Sequence, residues 1–183
     1  MKTTLSNKQK WFNKINLTPD DELYVGIDVH KKSYHVALWL NNAPAINFVM
    51  PPDNIKVLKM LLKVRIALKC IVYEAGPTGY NLARTLQKEK LPVNVIAPSI
   101  TPRPAGKQTK TDTIDCRKLA KFAAKGLLRK IAIPTRQQEA DWQLTRLRRQ
   151  LVEKLRRVKI QIKSFLLQHE WQPELNSHWV RID

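Results

Sequence analysis

Leu23-Tyr24-Val25-Gly26-Ile27-Asp28-Val29 is an apolar, β-branched run with one acid inside it, and its reading decides the fold. Such a run predicts a buried strand. It is followed by Tyr34 to Leu40, which alternates as a strand, by a turn at Asn41-Asn42, and by a third run from Ala45 to Met50. Together they predict an antiparallel meander. Pro51-Pro52 stops the sheet, and Asp53 precedes a helical pattern that sets Ile55, Leu58, Leu61 and Leu62 on one side and lysines on the other.

Cys70 to Tyr73 is a short strand of buried type ending at Glu74, and Gly76-Pro77-Thr78-Gly79 turns it into a helix carrying Tyr80, Leu82, Ala83 and Leu86. Pro92 to Ala97 is the next strand. Pro98 to Thr111, with its prolines and basic residues, reads as an exposed loop. Thr111 or Asp112 caps a helix to about Lys125, Gly126 stops it, and a brief strand is expected within Arg129 to Ile133. Three strands followed by helix, strand, helix, strand and helix predict an α/β fold: a mixed sheet of the ribonuclease H type, with helices covering both faces.

Beyond Pro134, the stretch Gln137 to Glu170 contains neither Pro nor Gly and reads as one long helix. Leu151, Leu155, Val158, Ile162, Phe165 and His169 alternate spacings of four and three, the period of a coiled-coil seam, so pairing of two or more copies is expected. The predicted organisation is a flexible polar lead-in (residues 1–21), an α/β domain (22–133), a coiled-coil helix (134–172) and the start of a further, missing or truncated region (173–183).

The 183 residues carry 33 Lys and Arg against 15 Asp and Glu, a net charge of +18, and the hydrophobic share of 43% suffices for a packed core. A strongly basic folded chain selects polyanionic partners, nucleic acid first. Cys70 and Cys116 cannot build a disulfide framework and form no CxxC pair, which predicts a reducing compartment and disfavours zinc. The N-terminus lacks an apolar signal region, and the apolar stretch Ile55 to Val72 is broken by Lys56, Lys59, Lys63, Arg65 and Lys69. A cytoplasmic protein without a membrane partner is therefore expected. No Ser-His-Asp spacing, phosphate-binding glycine loop or dinucleotide fingerprint is present.

Four carboxylates occupy places where an acid needs a reason. Asp28 interrupts an apolar strand, where an uncompensated charge is expensive. Glu74 ends a second strand expected beside the first, and Asp112 and Asp115 stand three apart at a helix start. Clustered carboxylates suit a hard divalent cation, Mg²⁺ or Mn²⁺, and hence phosphodiester chemistry. The competing local reading makes Asp112 a helix cap and Asp115 a complement to the helix dipole. His30 and His35, flanking the first motif, read as structural rather than as ligands.

Tyr24-Val-Gly-Ile-Asp-Val-His-Lys31, Tyr73-Glu-Ala-Gly-Pro-Thr-Gly79 and Lys110-Thr-Asp-Thr-Ile-Asp-Cys-Arg-Lys-Leu-Ala120 resemble the three blocks of the DEDD insertion-sequence transposases. These are relatives of pilin-gene invertases and of bridge-RNA-guided recombinases. The resemblance covers roughly residues 22–170, the resolvase-like domain and coiled coil, and implies that Asp28, Glu74, Asp112 and Asp115 are the catalytic, metal-binding tetrad. It implies DNA and a structured guide RNA as partners. Family members continue into a domain with a nucleophilic serine, whereas this sequence ends at Asp183, so activity is expected to be incomplete in this chain alone. Cys116 stands where the family often has alanine.

Charge is concentrated in two places. Residues 98–130 carry nine Lys or Arg against Asp112 and Asp115, and residues 142–163 carry eight against Glu153. Arg103, Lys107, Lys110 and Arg117 flank the acidic helix start, and Arg146, Arg149, Arg156 and Arg157 lie on the long helix; all eight are candidate nucleic-acid contacts. The seam candidates are Leu151, Leu155, Val158, Ile162 and Phe165. Trp142 and Trp171 read as packing anchors rather than base-stacking platforms. The alternative to a metal-dependent transposase fragment is a non-catalytic, dimeric nucleic-acid-binding module derived from one.

Overall fold

A computed structural model describes residues 7–76, 78–97 and 112–171, with the side chains at positions 7, 9 and 112–114 excepted. In chain order the elements are α1 (Asn7–Lys14), β1 (Leu23–Val29), β2 (Tyr34–Leu40), β3 (Ala43–Met50), α2 (Asn54–Leu62), β4 (Leu68–Glu74), α3 (Asn81–Lys88), β5 (Val93–Ile96), α4 (Asp112–Ala124), β6 (Lys130–Ile131) and α5 (Arg136–Gln168). The strands form one sheet in the order β3-β2-β1-β4-β5-β6.

The meander forms because its second turn, between β2 and β3, is built for it. Asn41 and Asn42 have φ of 46° and 65°, the left-handed pair that a type I′ hairpin requires and that asparagine tolerates. Asn41 also accepts from the Glu22 amide at 2.8 Å and donates to Asp21 at 2.7 Å, tying the turn to the entry of β1. β2 is antiparallel to β1 and to β3, whereas β4 is parallel to β1 and β5 is parallel to β4. Each parallel strand is reached through a helix, α2 or α3, as a parallel connection requires. The result is the expected ribonuclease H-like sheet with flanking helices.

Strand alternation gives the sheet two different faces. Leu23, Val25 and Ile27 of β1, Val36 and Leu38 of β2, Ile71 and Tyr73 of β4 and Val95 of β5 bury one face against α2 and α3. The hydroxyl of Tyr73 accepts from the Ala83 amide of α3 at 3.3 Å, satisfying the polar end of a fully buried ring. Helix α4 covers the opposite face.

Two expectations are corrected. The lead-in is not featureless: α1 lies within it, and Trp11, Phe12 and Leu17 pack against the core. Phe12 meets Phe48 of β3 edge to face, with ring centroids 6.2 Å apart, and Lys8 lies 4.6 Å over the same Phe48 ring. An eight-residue helix with two aromatics offers too short a period to be read, and its order comes from the surface it meets. In α2, Asp53 is the N-cap, accepting from the Ile55 and Lys56 amides. The buried face, however, is Val57, Met60 and Leu61, with Val64 buried just beyond the helix end, while Ile55 and Leu62 are exposed.

The chain divides into two compact units between Ile133 and Pro134. In the second, Thr135 and Gln138 form a reciprocal capping box at the start of α5, with bonds of 3.1 and 3.0 Å. This helix runs for 33 residues, and none of them is buried. Among the described residues no helix is long and apolar enough to cross a membrane.

Candidate functional site

The parity that buries Val25 and Ile27 on one face turns Tyr24, Gly26 and Asp28 to the face under α4. Asp28 lies one residue from the end of β1, with a side chain 20% exposed. In the parallel register Ile27 pairs with Tyr73, so the following residues, Asp28 and Glu74, stand side by side at the carboxyl ends of β1 and β4. Glu74 is half-buried.

α4 reaches the sheet where the sheet has least bulk. Ala37, Cys116 and Ala120 form one small buried cluster, and Leu119 packs with Val72 and Ile96 beside it. Gly26 lies beneath the helix backbone, where a Cβ would meet the Cys116 carbonyl, the Ala120 nitrogen and the Leu119 Cβ. Half-buried Asp115 immediately precedes Cys116. The Cys116 thiol is pushed up to about 12, first by burial and then by the negative charge of Asp28, so the Asp28 carboxylate is felt electrostatically at the start of α4. Arg117, on the next residue, donates its Nε to Oδ1 of Asn47 on β3 at 2.6 Å.

His30 donates from Nε2 to Oδ2 of Asp28 at 2.9 Å. His35 pairs with Asp28 across β1 and β2, and its ring meets that of His30 edge to face at 6.1 Å. Ser33 and His35 hydrogen-bond at 3.3 Å. Sequence reasoning missed the contact of His30 with the acid. The signal was its spacing of two from Asp28, which keeps both on one side of an extended chain.

Of the sequence-predicted acids, Asp28 and Glu74 are adjacent and Asp115 sits on the helix covering the same sheet face. The side chain of Asp112 is outside the described residues, as are Arg103, Lys107 and Lys110. Among the described residues no group of three or more His, Cys, Asp or Glu is gathered to hold a metal ion. The donor chemistry that is present, carboxylate oxygens at the ends of parallel strands, fits a hard divalent cation. Arg117 is exposed but engaged by Asn47, whereas Arg146, Arg149, Arg156 and Arg157 are exposed along α5. The seam residues Leu151, Leu155, Val158, Ile162 and Phe165 are between 40% and 60% exposed.

The chain is 39% identical over 97 residues to a protein of Sinorhizobium fredii named as a putative transposase, a match covering 53% of this chain and 25% of that protein. It is 32% identical over 105 residues to the transposase of insertion sequence element IS1533 from Leptospira borgpetersenii, covering 55% of this chain and 30% of that one. The chain thus spans between a quarter and a third of the length of these relatives. Among solved structures, Thermus thermophilus RuvC in complex with a Holliday junction substrate aligns over 60% of this chain and 99% of that one, with a TM-score of 0.40 and 12% identity. The family model for DEDD transposases of the IS110 type matches residues 25–170, and the chain belongs to that family of transposases.

Proposed function

We propose that this chain carries the acidic, divalent-metal-dependent site for phosphodiester chemistry in the transposition of an insertion sequence, acting on DNA together with a structured guide RNA. In this reading Asp28, Glu74, Asp112 and Asp115 hold Mg²⁺ or Mn²⁺. An ion held by these carboxylates would offset their mutual repulsion and supply Lewis acidity for activating a water and polarising a phosphodiester. His30, donating to one oxygen of Asp28, restrains the orientation of that carboxylate. The observation that carries the reading is the adjacency of Asp28 and Glu74 at the ends of two parallel strands, under the helix that bears Asp115.

Nucleic acid is held by the basic residues around this site, Arg103, Lys107, Lys110 and Arg117, and by Arg146, Arg149, Arg156 and Arg157 of α5. Two copies pair through Leu151, Leu155, Val158, Ile162 and Phe165. Support comes from an α5 on which no residue is buried, so that both its apolar seam and its arginines are available to partners. The same observation favours a second reading, a dimeric nucleic-acid-binding module without chemistry.

The thermal midpoint measured against Mg²⁺ and Mn²⁺ separates the two. A metal site predicts a rise for the natural chain and none for Asp28→Asn/Asp115→Asn, because a ligand stabilises only the fold that binds it, by about 3 kcal/mol at a hundredfold excess over Kd. Equal responses, or none, would leave the binding module standing.

A further inference from the structure

Helix α4 has to be held over the sheet at a defined height and heading if acids on different elements are to act together. Four residues lie in one row across the strands beneath it. Register pairs Asn47 of β3 with Ala37 of β2, Ala37 with Gly26 of β1, and Gly26 with Val72 of β4. Each end of the row and its middle make a distinct contact with α4. Asn47 accepts from Arg117, Ala37 packs with Cys116 and Ala120, Gly26 lies against the backbone of both, and Val72 packs with Leu119.

Gly26 is the tightest of these. A Cβ at this position would overlap the Cys116 carbonyl oxygen, come within 2.6 Å of the Ala120 nitrogen and stand 3.0 Å from the Leu119 Cβ. Two of the three obstacles are backbone, which cannot rotate away, so any side chain forces the helix to retreat by about 1 Å. Gly26 lies two residues from Asp28 on the same strand face, and the atom it would displace belongs to the residue after Asp115. Asn47 contributes the second restraint. Its 2.6 Å bond joins positions 70 apart in sequence and anchors the exposed side of α4 to the edge strand.

We propose that Gly26 and Asn47 are positioning residues. Gly26 sets the height of α4 above β1, Asn47 through Arg117 sets its heading across the sheet, and together they hold Asp115 at its working separation from Asp28. The inference rests on the acidic-site reading above and assigns to these two residues a role beyond folding.

The test is Mn²⁺ binding by titration calorimetry on the full chain, with amide hydrogen exchange of the metal-free protein alongside it. The variants are Gly26→Ala, Asn47→Ala, Arg117→Ala, the Asn47→Ala/Arg117→Ala pair, and Val36→Ala as a control. Val36 is fully buried on the opposite sheet face, so its truncation destabilises the core without touching α4. The expected result is a loss of Mn²⁺ affinity of about tenfold or more for Gly26→Ala, in the range found for residues that orient metal ligands, and a smaller loss, about threefold, for Asn47→Ala, which acts at one remove through Arg117. The double variant should be no worse than either single one, because both substitutions break one bond. Exchange should quicken in α4 and stay unchanged in α2 and α3, and Val36→Ala should keep the natural affinity. Should Gly26→Ala fail to fold, the exposed Asn47–Arg117 pair decides. A natural chain that binds Mn²⁺ while Gly26→Ala and Asn47→Ala bind it equally well overturns the positioning role alone. A natural chain that binds no Mn²⁺ overturns the acidic-site reading and the positioning role with it.

Discussion

Raising the pH should unfold the α/β unit through two buried groups, Cys116 under α4 and Tyr73 under α3. The thiol is 1% exposed and is pushed from an ordinary 9.0 up to about 12, by burial first and the Asp28 charge second. The phenol is fully buried and is pushed from 10.0 up to about 12, chiefly by burial. In both cases the folded chain keeps a proton that the unfolded chain releases. Stability is therefore complete below pH 9 and falls as pH rises from there toward 12, by about 1.4 kcal/mol per unit for each group past its unfolded value. At pH 11 the thiol is two units past that value and costs about 3 kcal/mol, and the phenol is one unit past and costs about 1 kcal/mol. A total of about 4 kcal/mol is a large part of the 5–15 kcal/mol typical of a domain.

Urea unfolding under reductant at pH 8 and pH 11 measures this directly. The natural chain should lose at least about 4 kcal/mol between the two, Cys116→Ala about 3 kcal/mol less than the natural chain and Tyr73→Phe about 1 kcal/mol less. Constant costs of each substitution, including the bond Tyr73 accepts from Ala83, cancel in the difference between pH values. Asp28→Asn should lose an intermediate amount, because it removes the smaller of the two causes that raise the Cys116 thiol. If Cys116→Ala lost as much stability as the natural chain, the burial of that thiol against an ionised Asp28 would be refuted, and with it the seating of α4 on β1.

Two further outcomes concern α5. Arg156→Glu/Arg157→Glu should weaken binding to a DNA or RNA duplex and flatten the plot of log affinity against log salt by about two, one per lost phosphate contact; an unchanged slope would remove α5 from the nucleic-acid surface. Leu155→Lys/Ile162→Lys places charge in the seam and should convert an oligomer to a monomer in sedimentation while leaving the melting of the α/β unit unchanged; a natural chain that sediments as a monomer at micromolar concentration would count against pairing through this seam.

Much of this protein was legible in its sequence because the signals are local. Alternation of Leu23, Val25 and Ile27 with Gly26 and Asp28, the Asn41-Asn42 turn, the Asp53 cap and the unbroken run of α5 each report on backbone geometry within a few residues, where propensity and period act directly. The three acidic blocks were visible for the same reason, since each lies at the end or start of a readable element. Order in α1 was not legible, because it depends on Phe48 of a distant strand supplying the surface for Phe12. The buried side of α2 was misjudged by about one position, because periodicity gives a face but the sheet decides its rotation.

The sequence by itself determined the strands, the helices from α2 onward and the residue types able to hold a hard cation. It also set the strand of Glu74 beside that of Asp28. Only the tertiary structure decided that His30 bonds Asp28 and that Arg117 is tied to Asn47 rather than left wholly to solvent. It alone shows why position 26 is glycine. That residue needs no unusual backbone conformation, and what excludes a side chain is the backbone of a helix some 90 positions away, a contact that no local pattern encodes.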